Sequence, residues 1–307
     1  MSTERILFEG YKSKITTAEA AAKLIKHGSV LGVSGFTKAG DSKAVLPALA
    51  KRAETEEVRV SLLSGASLGY DTETQLALNN VIAKRIPFMA DAELRKSINT
   101  HKALYMDQHL SETHEMLSNK HFPKVNTALI EASSIDANGN IIPTTSVGNS
   151  ATFAALADEI IIEVNSAFPL EFAGMHDIYL PTAYPNREAV NVTHVDTRIG
   201  TNYIKVDPSK VVAVVLTNKP DAPAVIAEPD EVTSAISRHI TAFFNKEVAE
   251  GRLTKSLMPL QAGIGKIANA VLSGLVHSDF EDLVMYSEVL QDSTFELFDS
   301  GKMTFAS

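Results

Sequence analysis

Residues 258–277 read MPLQAGIGKIANAVLSGLVH, and a shorter run, LVMYSEVL, follows at residues 283–290. The first stretch passes from apolar residues through Gly263-Ile264-Gly265 into a helical pattern, which predicts a strand, a tight glycine turn and a helix N-terminus. Free backbone N–H groups at such a helix start can face an anion. The second stretch predicts an apolar strand carrying one acid, Glu288, which is costly to bury unless it is paired. The chemistry of the protein is therefore expected here.

Three interpretations of these residues are open. Residues 263–268 fit the dinucleotide fingerprint G-x-G-x-x-A, and Glu288 follows at roughly the distance of a ribose-binding acid. Alternatively, the glycine turn donates backbone N–H groups to a developing oxyanion and Glu288 is a nucleophile. In the third interpretation, the glycines only allow close helix–strand packing and Glu288 pairs with a basic neighbour. The fingerprint alone is weak, so the rest of the chain must decide.

The composition favours a globular protein of two domains. The chain has 307 residues, of which 45% are hydrophobic and 21% charged, enough to bury a sizeable core. Its net charge is −9, and no long basic tract stands out, so a nucleic-acid partner is not expected. The absence of Cys excludes disulfides, thiolate catalysis and Cys-ligated zinc, and it suits a cytoplasmic protein.

Membrane and metal functions are also not expected. The first residues, MSTERILFEGYKSK, lack the apolar core of a signal peptide, and no run approaches the ~18 apolar residues of a membrane helix. We therefore expect a soluble protein. His109, His114 and His121 invite a metal interpretation, but their spacings do not place all three on one helical face. Surface or capping roles are favoured, and no metal is predicted.

Strands and helices alternate through the first two thirds of the chain. Thr16 and Glu19 match a capping box that predicts a helix over residues 20–26. Continuously apolar runs predict strands at residues 29–34, 58–64, 125–132, 159–164 and 211–216. Helices are predicted at residues 44–52, 71–79, 91–100 and 146–157. This pattern is typical of an α/β domain with a largely parallel sheet.

A second domain is predicted after a proline-rich linker. The proposed division is residues 1–218, a linker at residues 219–229, and residues 230–307. Asp230 is expected to cap a helix over residues 231–250, and residues 293–307 to form a strand, a turn and a second strand. The apolar side predicted for that helix comprises Val232, Ile236, Ile240, Phe243 and Phe244.

Three motifs resemble those of the acetyl-CoA hydrolase/transferase family of family I CoA-transferases. They are SGFTKAGDSKAVLPALAKR at residues 34–52, GIGKIANAVLSGL at residues 263–275 and YSEVLQD at residues 286–292. The resemblance implies two open α/β domains of the CoA-transferase type with largely parallel sheets, the second incomplete in this chain. It also implies that Glu288 is the catalytic residue and that the Ile264 N–H is an oxyanion donor. The CoA-binding turn would comprise Gly263, Ile264, Gly265, Lys266 and Ile267.

The resemblance implies transfer of CoA between a short acyl-CoA and a carboxylic acid such as acetate or succinate. The route would be ping-pong, through a glutamyl-CoA thioester, with CoA as substrate and no permanently bound cofactor. An acyl-CoA hydrolase on the same site and a non-catalytic acyl-CoA sensor are the alternatives. A homodimer is expected. Because members of the family are longer, we expect the 307-residue chain to be inactive alone, with early proteolysis after about Lys219.

Overall fold

The computed structural model of the protein describes residues 3–182, 184–223 and 225–307. The chain divides into two compact units. Unit 1 comprises Met1–Ala189 and Ile199–Pro223, and unit 2 comprises Val190–Arg198 and Ala224–Ser307.

Unit 1 is built on an eight-stranded sheet with the order β1-β10-β9-β6-β2-β3-β4-β5, in which the described strand pairs are all parallel. Its strands are β1 Ile15–Thr16, β2 Val30–Phe36, β3 Val60–Gly65, β4 Ile82–Ile86, β5 Leu104–Tyr105, β6 Thr127–Ala132, β9 Glu159–Asn165 and β10 Val211–Thr217. A separate antiparallel pair is formed by β7 Ser134–Ile135 and β8 Ile141–Ile142. The parallel α/β prediction is confirmed.

Helices connect these strands. They are α1 Glu9–Lys12, α2 Ala18–Leu24, α3 Val45–Arg52, α4 Thr72–Leu78, α5 Ala92–Asn99, α6 Thr113–Ser118 and α7 Ser150–Leu156. Short 3-10 turns lie at Thr3–Arg5, Leu110–Glu112, Leu170–Phe172 and Pro208–Lys210. The first capping prediction is wrong by one position: Thr17, not Thr16, accepts the Ala20 N–H and starts α2.

The continuously apolar strands are explained by cores on both faces of the sheet. In β9, Ile160 and Ile162 belong to one core and Ile161 to the other, and all three side chains are fully buried. Each such side chain contributes about 1.5–3 kcal/mol of hydrophobic stabilisation. Gly32 of β2 allows the ring of Phe153 on α7 to approach closely, because a Cβ there would lie 2.7 Å from that ring. Burial on both faces is what parallel strands require.

Unit 2 contains three helices and a small parallel sheet. The helices are α8 Glu231–Ala249, α9 Lys266–Val276 and α10 Asp292–Asp299, and the strands are β11 Leu283–Met285 and β12 Met303–Ala306. Asp230 caps α8 with a reciprocal capping box to Thr233, as the sequence predicts for this N-terminus. The small core lies between these elements and includes Leu272, Leu275, Phe280, Leu283 and Leu297.

Two sequence predictions about the end of unit 2 are wrong. Residues 292–299 form helix α10, not a strand, because Ser293, Thr294 and Leu297 are buried at a helical spacing while Phe295 is 56% exposed. The strand predicted over residues 283–290 ends at Met285, so Glu288 lies in a bend outside it.

The apolar side of α8 also differs from the prediction. Val232 and Phe243 are 68% and 55% exposed, whereas Thr233 and Ser237 are buried. The cause is close helix packing: a Cβ on Gly274 of α9 would lie 2.1 Å from the Ser237 Oγ. Small residues therefore form this contact, and part of the apolar side is left exposed.

Candidate functional site

Unit 2 brings the glycine turn and the segment that carries Glu288 together. Gln291 is the connection: its Oε1 accepts the Gly265 N–H at 3.1 Å, and its Nε2 donates to the Gly263 oxygen at 3.0 Å. The hydroxyl of Ser287 donates to the Ala262 oxygen at 3.1 Å. Residues 263–265 and the two ends of the 287–291 segment are therefore held side by side by hydrogen bonds.

The glycine turn leads directly into α9. Gly265 has a φ of 125°, a conformation that L side chains rarely adopt, and it is the N-cap position of the helix. The first N–H groups of α9, on Lys266 and Ile267, have no intrahelical acceptor by geometry. Ile264 and Ile267 are 54% and 49% exposed, so the start of the helix is accessible to a ligand.

Glu288 lies in the bend after β11 and is exposed. The sequence argument for it, an acid that is costly to bury inside a strand, is therefore wrong, although Ser287 and Gln291 on either side of it are hydrogen-bonded to the region of the predicted turn. An accessible carboxylate beside a helix start can attack an electrophile whose developing negative charge faces backbone N–H groups. Lys266 instead pairs with Asp230, with the Nζ 3.4 Å from Oδ2.

Gln291 gives a direct test of this geometry. Its side chain is buried, and each of its two hydrogen bonds is worth about 1 kcal/mol. We expect Gln291→Ala to accelerate hydrogen exchange at the Gly265 amide, because that amide loses its acceptor. Gln261→Ala is the matched control, since Gln261 bonds only to the neighbouring Ala262 oxygen and is exposed. Unchanged exchange at Gly265 in Gln291→Ala would show that the connection does not hold the turn.

Unit 1 contains a second constellation, which the sequence analysis did not predict. Lys43 Nζ lies 2.7 Å from Glu131 Oε1 and 2.8 Å from Asp221 Oδ1, and it donates to the Asp41 backbone oxygen at 2.8 Å. The Lys43 and Glu131 side chains are fully buried, and Asp221 is 10% exposed. Together with Glu163, we call these residues the Lys43 cluster.

The Lys43 cluster lies near the point where the strand order of the sheet reverses. Strands β3, β4 and β5 are added in sequence on one side of β2, and strands β6, β9 and β10 are added in sequence on its other side. Glu131 is on β6 and Glu163 on β9, while Asp221 follows β10. Ligands of open parallel sheets bind beyond the carboxyl ends of the strands at such a switch point.

Glu163 is satisfied differently from the other acids of the cluster. Its carboxylate accepts the backbone N–H groups of Lys43, Ala44 and Val45 at 2.6, 2.9 and 3.2 Å, and the hydroxyl of Ser42 at 2.7 Å. It therefore stabilises the N-terminus of α3, where the helix dipole favours a negative charge. Lys43 is therefore available to pair with Glu131 and Asp221.

The electrostatics of the cluster follow from burial. Burial raises the pKa of Glu131 to about 8, although Lys43, Thr144 and Asn165 oppose the shift. Burial also raises the pKa of Asp41, against Lys43 and the Gly69 N–H. Burial alone would lower the pKa of Lys43, but the neighbouring carboxyls raise it above its ordinary value. The neighbouring carboxyls therefore favour the charged form of Lys43, while burial favours the protonated form of Glu131.

One sequence signal could have revealed this cluster. Glu131 and Glu163 are acids within the apolar runs TALIEA and EIIIEV, and the argument applied to Glu288 applies better to them. Within residues 3–182, 184–223 and 225–307, no three or more His, Asp or Glu side chains are arranged so that they could hold a metal ion. None of the helices that the structure describes has the length and apolar character needed to cross a membrane.

Comparisons with known proteins agree on one family. Residues 2–216 match the acetyl-CoA hydrolase/transferase N-terminal domain. The chain is 42% identical to the succinyl-CoA:acetate CoA-transferase of Clostridium kluyveri, covering 95% of this chain and 54% of the relative. It is also 42% identical to an acetyl-CoA hydrolase of Schizosaccharomyces pombe, covering 96% of this chain and 60% of that protein. The chain therefore spans little more than half the length of these relatives.

Solved structures agree on the fold. RipA from Yersinia pestis superposes with a TM-score of 0.67 at 20% identity, covering 96% of this chain and 60% of that one. A 4-hydroxybutyrate CoA-transferase from Porphyromonas gingivalis gives a TM-score of 0.60 at 16% identity, covering 95% and 58% respectively. The α/β fold with a large parallel sheet is thus shared with a CoA-transferase.

Proposed function

The chain belongs to the acetyl-CoA hydrolase/transferase family, and we propose that it carries the catalytic glutamate, Glu288, of a CoA-transferase for short acyl-CoAs. The observation that supports the proposal most is the hydrogen-bonded union of the 263–265 turn with the Ser287–Gln291 segment. It holds the segment that carries the proposed nucleophile against the turn that precedes α9. The proposed acceptors are carboxylic acids such as acetate or succinate.

The proposed reaction exchanges one thioester for another and costs little free energy overall. The Glu288 carboxylate attacks the acyl-CoA carbonyl, forming a mixed anhydride and releasing the CoA thiolate. The thiolate then attacks the glutamyl carbonyl, releasing the acyl carboxylate and leaving Glu288 as its CoA thioester. The acceptor acid reverses these two steps. A glutamate suits this role because its ordinary pKa of about 4.3 is close to that of the acids it exchanges.

The turn at 263–267 is proposed to stabilise the oxyanions of these steps and to bind CoA. The Ile264 N–H is the proposed donor, and one well-placed donor is worth about 3–4 kcal/mol to a transition state. Gly263, Gly265, Lys266 and Ile267 would form the CoA-binding turn. Gly265 contributes in two ways: it adopts the positive φ that the turn requires, and it has no side chain that would occupy the open space at the start of α9.

An acyl-CoA hydrolase on the same site is the second candidate. It is favoured by the exposure of Glu288, since water that reaches the anhydride or the thioester would hydrolyse it. The acetyl-CoA hydrolase of Schizosaccharomyces pombe is similar over nearly the whole of this chain. The assay that separates the two is CoA exchange with and without an added carboxylate. A transferase requires the carboxylate, whereas a hydrolase releases CoA without it.

Ligand choice tests the site against the dinucleotide interpretation. We expect CoA or acetyl-CoA to raise the melting temperature of unit 2, because binding only to the folded state stabilises it. NAD is expected to leave it unchanged. Gly265→Val is the matched control, since a side chain at a φ of 125° should disturb the turn and abolish the CoA effect. A shift with NAD and none with CoA would revive the dinucleotide-binding interpretation.

Several broader properties stay proposals. We propose that residues 1–218 and 230–307 act as two domains joined by residues 219–229, and that the protein is a cytoplasmic homodimer. Because the relatives are longer, the 307-residue chain should be assayed beside a polypeptide of the relatives' length that contains it. The expectation is turnover only in the longer polypeptide, with early proteolysis of the shorter one within residues 225–229 rather than at Lys219, whose backbone is hydrogen-bonded to Asn165.

A further inference from the structure

The segment after β10 is fastened to the carboxyl edge of the sheet in unit 1. Asn165 at the end of β9 bonds both backbone groups of Lys219, donating to the oxygen at 2.7 Å and accepting the N–H at 3.2 Å. The Tyr70 hydroxyl donates to the Pro220 oxygen at 2.7 Å, and Lys219 Nζ lies 3.7 Å from the Tyr70 ring centroid. The first residues of the predicted linker are therefore part of the folded edge.

Asp221 joins this segment to two loops. Its Oδ1 accepts the Gly40 N–H at 3.0 Å, and its Oδ2 accepts the hydroxyl of Thr145. The same Oδ1 pairs with Lys43 Nζ at 2.8 Å. The 36–40 loop after β2, the loop of Thr145 and the segment of Asp221 thus meet at one carboxylate.

The charges at this point do not balance without a proton. One buried cation, Lys43, faces Glu131 and Asp221 directly, and the buried Asp41 lies beside it. Glu163 is stabilised by backbone N–H groups at the start of α3, so its charge does not depend on the Lys43 ammonium. The remaining groups facing Glu131 are neutral: the Asn165 amide donates to Oε1 at 2.8 Å, and the Thr144 hydroxyl lies 2.6 Å from Oε2, where it can donate to a carboxylate or accept the proton of a neutral carboxyl. His176 lies behind Thr144, where its ring bonds to the Pro143 oxygen.

We propose that the Lys43 cluster is a proton-dependent latch. With one proton on its buried carboxyls it holds Asp221, and through Asp221 it fixes the 36–40 loop and residues 219–221 at the carboxyl edge. When that proton is lost to solvent, the cluster gains a negative charge that Lys43 cannot neutralise. Asp221, the most exposed of the carboxylates facing Lys43, is then displaced towards water and releases both segments.

The direction of the pH dependence follows from Glu131. Burial raises its pKa to about 8, above its value in the unfolded chain. A carboxyl shifted in this direction stabilises the folded state fully below the unfolded pKa, and that contribution is lost as pH rises through the folded value. The latch is therefore tightest in acid solution and weakens as the pH rises towards the folded pKa. This inference does not depend on Glu288 or on the proposed reaction.

Hydrogen exchange of the 307-residue chain between pH 6 and pH 9 tests the latch. Rates at the Gly40 and Lys219 amides are divided by their intrinsic rates at each pH. We expect protection to fall by up to about tenfold per pH unit between pH 6 and about pH 8, where the closed state holds a proton that the open state has lost, and to level off above about pH 8. Glu131→Gln should keep both amides protected to pH 9 and should remove the infrared carbonyl band of a protonated buried carboxyl. Asp221→Ala should expose Gly40 at every pH.

Asp207→Ala is the matched control. Asp207 accepts the Ser209 N–H at 3.0 Å, in the same unit but before β10, whereas Asp221 follows that strand. Its substitution should free the Ser209 amide and leave Gly40 and its pH dependence unchanged. Protection of Gly40 and Lys219 that does not change from pH 6 to pH 9 in the unsubstituted chain would overturn the proposal. So would a pH dependence that survives in Glu131→Gln. If that variant does not fold, the titration of the unsubstituted chain decides alone.

Discussion

Glu288→Ala is expected to abolish CoA transfer, and Glu288→Asp to lower it about a hundredfold. Alanine removes the nucleophile, so neither the anhydride nor the thioester can form. Aspartate keeps the carboxylate but withdraws it by one methylene, and misplacing a reacting group by about 1 Å can cost a hundredfold in rate. Turnover is measured with acetyl-CoA and a carboxylate acceptor, in a polypeptide of the relatives' length that contains this chain.

Glu281→Ala is the control for this substitution. Glu281 is also an exposed glutamate of unit 2, and it lies before β11, outside the 287–291 segment. Its loss should leave turnover unchanged. Full activity in Glu288→Ala would end the nucleophile hypothesis, whereas equal losses in both variants would indicate a general effect of removing charge from unit 2.

Lys43→Met is expected to lower the free energy of unfolding of unit 1 by about 3–5 kcal/mol. Methionine fills a similar volume but removes the cation, which leaves the Asp221 carboxylate without its charged partner and Glu131 without a hydrogen-bond donor. Removing one member of a buried ion pair typically costs that much, because the remaining charge is uncompensated. Urea unfolding at pH 7, followed by a probe in unit 1, measures the change.

Lys124→Met is the matched control for the buried lysine. Lys124 pairs with Asp158, but their side chains are 65% and 45% exposed, so solvent already screens the pair. Its substitution should leave the unfolding midpoint almost unchanged. A similarly small effect of Lys43→Met would show that the carboxyls of the cluster adjust their protonation without a stability cost.

The sheet of unit 1 could be predicted because its signal is local. Runs such as EIIIEV are apolar at successive positions, and only a strand buried on both faces requires that pattern. The structure places Ile160, Ile161 and Ile162 in cores on alternate faces, as this argument requires. The helix capped by Asp230 was predictable for the same reason, since a cap and its partner are three residues apart.

The region around Glu288 could be predicted only in part. A short apolar run does not reveal where strand pairing stops. Strand β11 ends at Met285 because that residue pairs with Ala306, the last residue of β12. The pairing of Gln291 with the 263–265 turn spans 26 and 28 residues, and no local pattern reports it. The segment at residues 286–292 therefore lies beside the turn, while the secondary structure assigned to it was wrong.

The Lys43 cluster was missed because its members are far apart in the sequence. Lys43 and Glu131 are 88 residues apart, and Asp221 comes from the segment assigned to a linker. Proximity arises only when β2, β6, β9 and β10 are neighbours in the sheet. An acid inside an apolar strand signals that a partner must exist, but the partner's identity follows from the strand order.

The most direct test of the proposed function is the mass of Glu288 after incubation with acyl-CoA and no acceptor. The protein, of the relatives' length, is mixed with acetyl-CoA, quenched in acid, digested and analysed by mass spectrometry. We predict that the peptide carrying Glu288 gains the mass of CoA less one water, and that borohydride reduces this thioester and inactivates the enzyme. A Glu288 peptide of unchanged mass in a preparation that transfers CoA would contradict the proposal.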